Sequence, residues 1–316
     1  MDIDLQGIAG PDGWPAHGCR CASCNRLRAA GVQHNPTTIV IEGVPLEECS
    51  RWAVPGGHDV RSSSGRRILV AAGPGARPEP VAEIVYDAAL LDLVGCPDHL
   101  GRLRHVGAVT AATEIMAVHV DHRVSSPAEL ERRLSFWLPP REGPHRTLLL
   151  GGARSGKSAE AELRLMADPY VTYVATGVQS ADDPEWAARI AAHRRRRPSW
   201  WQTIETTDLA HTIESTAGAM LVDGIGSWLA AAMGETNAWD DPARVIPRMN
   251  ELVEAWRDTT ARIVAVSDEV GLSLVPTTPV GRAFRDALGH LNQRLAAESE
   301  EAALVVAGRV TDLSTT

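Results

Sequence analysis

Gly151-Gly152-Ala153-Arg154-Ser155-Gly156-Lys157-Ser158 fits the pattern G-x-x-x-x-G-K-[ST], and its flanks decide the fold. Thr147 to Leu150, just before it, reads as a short apolar strand, and Ser155 to Met166 reads as a helix. A glycine-rich turn between a strand and a helix is the setting in which this pattern cradles phosphate. The glycines let successive backbone N–H groups turn inward around an anion, and the helix N-terminus adds its partial positive charge. Lys157 is then placed to reach the β- and γ-phosphates of a nucleotide, and Ser158 to ligate Mg2+. The bland alternative is a chance glycine-rich turn. Composition argues against it: of 31 basic residues only Lys157 is lysine, and every other one is arginine. A lone lysine in such a chain marks a position that needs a compact point charge on a flexible stem, which a planar guanidinium does not supply.

Outward from the loop, strand and helix patterns alternate. Val171 to Ala175, Ala219 to Val222, Ile263 to Val266 and Leu304 to Ala307 read as strands. Glu185 to Arg196, Pro242 to Thr260 and Val280 to Glu298 read as helices. Such alternation predicts an α/β fold, a mostly parallel sheet with helices on both faces, here a P-loop NTPase of the RecA-like kind. Asp223, after the apolar run Ala219-Met220-Leu221-Val222, is the expected second metal carboxylate; the ordinary alternative is a strand-end turn with Gly224.

Leu138-Pro139-Pro140-Arg141-Glu142-Gly143-Pro144 is the best linker, since its prolines stop a helix and stiffen the connection. Before it, Pro127 to Trp137 carries Leu130, Leu134 and Trp137 at helical spacing. The expected organisation is a smaller α/β domain over 1–138, a linker over 139–145 and the P-loop domain over 146–316. Acidic residues outnumber basic ones on both sides of Pro144, and the whole chain carries a net charge of −9, which speaks against a nucleic-acid-binding module. No apolar run is long enough to span a bilayer, and the acidic start Met1-Asp2-Ile3-Asp4 does not read as a signal peptide, so a cytoplasmic protein is expected.

All five cysteines fall in the first third, and Cys19, Cys21 and Cys24 crowd into Gly18-Cys19-Arg20-Cys21-Ala22-Ser23-Cys24. Two readings stay open: reduced, unligated thiols, or a structural zinc knuckle with a fourth ligand from elsewhere, such as His17, His34 or His58. This opening resembles the start of metallo-β-lactamase-fold hydrolases of the phosphodiesterase type. Their two-metal motif H-x-H-x-D-H is not intact: Asp98-His99 matches only its tail, and Ala117-Val118-His119-Val120-Asp121-His122 has alanine at the first ligand position. The resemblance implies a truncated, degenerate relative that hydrolyses nothing; a catalytic metal on His119, Asp121 and His122 is the lesser alternative.

The stretch Arg189-Ile190-Ala191-Ala192-His193-Arg194-Arg195-Arg196-Arg197-Pro198 reads on composition alone as a solvated basic helix end. Its company changes that reading. In order along the chain stand the loop at 151–158, Tyr173-Val174-Ala175-Thr176-Gly177, the His193 segment and Trp201-Gln202-Thr203-Ile204-Glu205. Leu221-Val222-Asp223, Ser267-Asp268-Glu269-Val270-Gly271, Val275-Pro276, Phe284-Arg285-Asp286, Gly289 and Asn292-Gln293-Arg294-Leu295-Ala296 follow. This series, from about Arg146 to Leu313, resembles the bifunctional adenosylcobinamide kinase / adenosylcobinamide-phosphate guanylyltransferase family.

The resemblance implies that His193 attacks the α-phosphate of GTP and carries GMP as a phosphoramidate, chemistry open to a neutral imidazole near pH 7. Arg194, Arg195, Arg196 and Arg197 would neutralise phosphate charge. Ala175, Thr176, Gly177 and Glu205 would belong to the guanine-nucleotide site, and Asp223 to the metal or nucleotide. The same site would move the γ-phosphoryl of ATP or GTP to the hydroxyl of adenosylcobinamide. The resemblance further implies small-molecule partners only and a trimer or other homo-oligomer. Two positions depart from the family pattern, Asp268 for the usual asparagine and Gly224 for a common cysteine, and neither is expected to touch the phosphate chemistry directly. On the residues alone, a P-loop kinase of another small molecule and a GTP-binding regulatory protein remain alternatives.

Overall fold

The computed structural model describes residues 2–138, 143–177 and 196–314. The chain divides into two compact units: Met1–Arg141 with Met166–Pro169, and Glu142–Leu165 with Tyr170–Thr316. Pro139 to Glu142 of the expected linker, and the helix expected from Glu185 as far as residue 195, lie outside the described residues.

The first unit mixes strands and short helices. In chain order these are β1 (Ile3–Gln6), α1 (Ala22–Ala29), β2 (Thr38–Ile41), β3 (Val44–Pro45), β4 (Ser50–Val54) and β5 (Gly57–Arg61). Next come β6 (Arg67–Ala71), β7 (Ala88–Leu91), α2 (Pro97–His105), β8 (Glu114–Ala117) and α3 (Pro127–Trp137). β1, β2 and β3 form one antiparallel sheet. β4 to β8 form a second in sequence order, antiparallel from β4 to β6 and parallel from β6 to β8. Ile39, Ile41, Val60, Ile68, Val70 and Leu90 share one core. β7 is buried along its whole length, which is why Ala88-Ala89-Leu90-Leu91 shows no alternation. α3 runs over the span its sequence predicts: Ser126 caps it by accepting from the Glu129 N–H at 3.2 Å, and Pro127 stands at its first turn, where no N–H is needed.

The second unit holds β9 (His145–Gly151), α4 (Lys157–Leu165), β10 (Val171–Ala175), β11 (Gln202–Glu205), α5 (Leu209–Ser215), β12 (Ala219–Asp223) and α6 (Ile225–Glu235). α7 (Ile246–Asp258), β13 (Arg262–Asp268), α8 (Pro279–Ala297), β14 (Glu301–Val306) and β15 (Arg309–Asp312) complete it. Its seven strands stand in the order β11-β10-β12-β13-β9-β14-β15, all parallel except β15. This is the predicted α/β fold, with one strand, β13, between the phosphate-loop strand and the Asp223 strand. Leu148, Leu150, Val222, Trp228, Trp256 and Leu291 belong to one large core. Both tryptophans of this core donate: Trp228 to the Thr207 carbonyl at 3.0 Å and Trp256 to Ser299 Oγ at 3.1 Å.

Some elements differ from the sequence reading. The helix expected over Pro242 to Thr260 is split into a 3-10 turn over Pro242–Val245 and α7, because Pro247 has no N–H to give and is tolerated only in a first turn. α5, α6, β11 and β15 were not anticipated. α6 carries Gly226 and Gly234, which weaken the local helix signal. β15 depends on a two-residue turn, Ala307 at φ 51° and Gly308 at φ 71°, that returns the chain alongside β14. Among the described residues, no helix is long and apolar enough to cross a membrane.

One electrostatic cluster ties α4 to the sheet. Buried Arg164 pairs with Glu160 at 2.9 Å and with Glu301 at 2.6 Å. Burial alone would raise the Glu301 carboxyl, but His145 and the charge of Arg164 outweigh it and hold it down at about 2, below an ordinary value of 4.5. A folded-state value below the unfolded one gives stability that is present above about pH 4.5 and is lost as pH falls toward 2. Glu301→Gln should therefore cost up to about 3 kcal/mol at neutral pH. In urea titrations its deficit against wild type should shrink steadily between about pH 5 and pH 2; a deficit independent of pH would place the effect in packing instead.

Candidate active site

The sheet register builds the site. β9 ends at Gly151, β13 at Asp268 beside it, β12 at Asp223 and β10 at Ala175, so the carboxyl ends of four parallel strands finish along one edge. Ala175 pairs with Asp223 on one side and with Glu205 of β11 on the other. Ligands of open parallel sheets bind outside this edge.

The loop itself is held by its own backbone. Ser155 N–H donates to the Gly152 carbonyl at 3.2 Å, and Glu160 N–H to the Gly156 carbonyl at 3.0 Å as α4 begins. Gly308, in the β14–β15 turn, donates to the Ser155 carbonyl at 2.7 Å, so that turn buttresses the loop. Gly156 has φ +101°, a conformation that side chains resist, and an added Cβ would come 3.2 Å from the Gly308 Cα. Arg154 also takes a positive φ, 58°, at the crown of the turn. Lys157 Nζ donates to the Gly152 carbonyl at 3.1 Å and lies 2.8 Å from Asp268 Oδ1.

Asp223 is held from two sides. Ser158 Oγ donates to its Oδ1 at 3.3 Å, and the Tyr173 hydroxyl donates to its Oδ2. Burial, reinforced by the Asp223 charge, pushes the Tyr173 phenol far above its usual range, so it remains a donor at any ordinary pH. In the sequence Tyr173 stands within one of the motifs but has no role assigned to it. It shares a sheet face with Asp223 because Tyr173 pairs with Leu221, two residues earlier on β12, a relation that only the β10–β12 pairing reveals. An octahedral Mg2+ with bonds of about 2.1 Å sets adjacent ligand oxygens about 3 Å apart, which the Ser158–Asp223 pair fits.

Thr176 is buried and its hydroxyl donates to the Gly224 carbonyl at 2.5 Å. Gly224 itself has φ +118°, and an added Cβ would meet Ser227 Oγ and Thr176 Oγ1 at 3.2 Å, so glycine suits this backbone. Gly177 follows at the end of the described segment, and Glu205 is exposed at the end of β11. Arg196 pairs with Glu162 on α4 at 2.9 Å, and the Arg197 guanidinium carbon lies 3.5 Å over the Tyr173 ring. His193, Arg194 and Arg195 lie outside the described residues. Asp268 corrects an expectation: it is not remote from the phosphate chemistry, because the register sets it opposite Gly151 and its carboxylate meets Lys157.

A second constellation forms in the first unit. One ligand atom from each of Cys19, Cys21, Cys24 and His122 lies within 4.8 Å of all the others. α1 opens inside this knuckle, with Cys21 Sγ accepting from the Cys24 N–H at 3.4 Å. His122 is delivered from far along the chain: Ser23 Oγ donates to the Val124 carbonyl at 2.8 Å, and Arg26 to the Ser125 carbonyl at 3.0 Å. The Cys24 N–H lowers the Cys21 thiol, whereas burial pushes Cys24 up to about 11. The fourth group in this cluster is His122, not His17, His34 or His58; His34 instead stacks on Trp14 at 5.1 Å. The alternative triad is not assembled, since Asp121 pairs with Arg123 at 2.7 Å and His119 Nε2 sits 3.2 Å from the Ala71 carbonyl.

Comparison with known proteins agrees with the geometry of the second unit. The sequence model of a family described as cobinamide kinase / cobinamide phosphate guanyltransferase matches residues 147–313. A Pseudomonas aeruginosa protein named bifunctional adenosylcobalamin biosynthesis protein CobP is 41% identical over 169 residues, 52% of this chain and 94% of the relative. A Salmonella typhimurium protein named bifunctional adenosylcobalamin biosynthesis protein CobU is 38% identical over 175 residues, 51% of this chain and 95% of its own length. Its Escherichia coli namesake is 35% identical over 174 residues.

Proposed function

The chain belongs to the cobinamide kinase / cobinamide phosphate guanyltransferase family, and from that premise we propose that one site in its second unit carries both activities. It phosphorylates adenosylcobinamide with ATP or GTP, then transfers GMP from GTP to the phosphorylated product, making adenosylcobinamide-GDP for adenosylcobalamin biosynthesis. The observation that carries this reading is the phosphate loop at the strand ends, with the sole lysine at its centre and Ser158 beside Asp223.

Lys157 and the loop amides take the β- and γ-phosphates, and helix α4 directs its positive end at them. Ser158 and Asp223 would hold Mg2+, which supplies charge neutralisation at the phosphates; Tyr173 keeps the Asp223 carboxylate in place. Phosphoryl transfer of this kind needs positioning and electrostatic stabilisation more than covalent chemistry. For the second activity, His193 is the nucleophile: its ring nitrogen bonds the α-phosphorus of GTP, the α–β bridge breaks, and pyrophosphate leaves. Ala175, Thr176, Gly177 and Glu205 take the guanine nucleotide, and Arg194 to Arg197 neutralise its phosphates. The acidic balance of the chain supports small-molecule partners over nucleic acid, and a cytoplasmic homo-oligomer completes the reading.

Intact-mass measurement after incubation with GTP and Mg2+ tests it. The wild type should gain one GMP, and His193→Ala should gain none. No adduct on a wild type that still binds GTP would leave a P-loop kinase of another substrate as the better reading.

For the first unit we propose a structural zinc ion on Cys19, Cys21, Cys24 and His122. Three thiolates and one imidazole are a closed tetrahedral donor set, and zinc–sulfur bonds of about 2.3 Å set sulfurs about 3.8 Å apart, within the observed spread. The reading of this unit as a degenerate metallo-β-lactamase-like module without hydrolytic activity is supported by the Arg123 guanidinium. It pairs with both Asp121 and buried Asp92, leaving a fixed cation among carboxylates.

A further inference from the structure

Lys157 is engaged by protein groups. Its ammonium lies 2.8 Å from Asp268 Oδ1 and 3.1 Å from the Gly152 carbonyl, and the side chain is only 13% exposed. Asp268 is held firmly in the position from which it reaches. It ends β13 opposite Gly151, and the next residue, Glu269, donates its N–H to the Gly151 carbonyl at 3.1 Å. Buried Asn292 on α8 donates to the Asp268 carbonyl at 3.1 Å and accepts from Ser267 Oγ at 2.6 Å. On α6, Gly226 leaves room for the carboxylate: a Cβ there would come 3.0 Å from Asp268 Oδ2. The backbone around Asp268 is thus fixed by β9, β13 and α8, while its carboxylate stays 43% exposed at the site.

A nucleotide's β- and γ-phosphates need the same ammonium. They must take Lys157 from a carboxylate, and they then bring like charge against it. An asparagine there would offer an amide and impose neither cost. We propose that Asp268 is a specificity-determining residue that competes with the β- and γ-phosphates for Lys157, so that polyphosphate nucleotides bind this site by displacing it. A monophosphate, which has only an α-phosphate, does not meet the competition. After phosphoryl transfer, the carboxylate recovers Lys157 as the spent nucleotide departs. The proposal rests on the reading of the loop as a polyphosphate site.

The test is calorimetric binding of GMP and of guanosine 5′-(α,β-methylene)triphosphate, which cannot lose pyrophosphate, with Mg2+ present. It uses the full chain as wild type, Asp268→Asn, Lys157→Met and the double variant. Asp268→Asn should tighten the triphosphate analogue about three- to tenfold, while GMP changes by less than about twofold. In the Lys157→Met background the same substitution should change the analogue by less than about twofold. A triphosphate bound by the wild type with no gain in Asp268→Asn, or a gain that persists without Lys157, would overturn the competition alone. Failure of the wild type to bind either nucleotide would overturn the polyphosphate reading and this proposal with it.

Discussion

Lys157→Ala should lower phosphoryl transfer about 10²- to 10³-fold, the usual loss when one preorganised charge at a developing transition state is removed. The chain has no other lysine to stand in, and arginine is a poor substitute, because a planar fork does not fit where a 13% exposed ammonium bonds both Gly152 and Asp268. Lys157→Arg should therefore also be impaired. The fold should survive both changes. The hydrogen bonds that shape the loop, from Ser155 to Gly152, from Glu160 to Gly156 and from Gly308 to Ser155, all run through the backbone. Asp268, left without its partner, is exposed enough to be solvated. Steady-state kinase assays beside thermal melts check this. An unchanged rate in a folded variant would remove the loop from the mechanism, and a collapsed melt would show that Lys157 is structural.

The other large effect belongs to the cysteine cluster. The full chain should carry one zinc per molecule by elemental analysis, and Cys24→Ser or His122→Ala should lower that content to well under half. Structural zinc in small domains contributes about 10–16 kcal/mol of apparent binding energy, which becomes folding energy where no site exists in the unfolded chain. Here the ion would join α1 to the segment carrying His122, a junction to which Ser23 with Val124, Arg26 with Ser125 and the packing of Leu27 and Val124 in one core also contribute. Strong chelation should thus melt the first unit at lower temperature while the GMP adduct on the second persists. Full zinc content in His122→Ala would assign the fourth ligand elsewhere. A metal-free wild type, prepared under reducing conditions with zinc supplied, would return the cysteines to plain thiols.

The phosphate loop was legible because its requirements are local. Successive amides, positive φ at Gly156 and a helix start all sit within eight consecutive residues. The strands β9, β10, β12 and β13 were legible because strands buried in a parallel sheet read as continuous apolar runs. Helix α6 was not, since its two glycines weaken the local signal and one of them is set by tertiary packing: Gly226 lies where the Asp268 carboxylate approaches. The spacing of the three cysteines left open a metal knuckle or plain thiols, and the fourth member of their cluster comes from about 100 residues away, through hydrogen bonds such as Ser23 to Val124 that no local pattern encodes.

By itself, the amino-acid sequence determined the α/β class, the loop from Gly151 to Ser158, the candidate carboxylate Asp223 and the membership that the ordered motifs carry. All of these depend on neighbours in the chain, where periodicity and spacing hold the information. Only the tertiary structure decided which distant groups meet: Tyr173 on Asp223, Gly308 against the loop, His122 among the cysteines and Asp268 on Lys157. The physical reason is register. Which strand lies beside which, and residue against residue, is chosen by burial of whole faces across the sheet. A single position such as Asp268 acquires its role only when β13 is set beside β9 with Asp268 opposite Gly151.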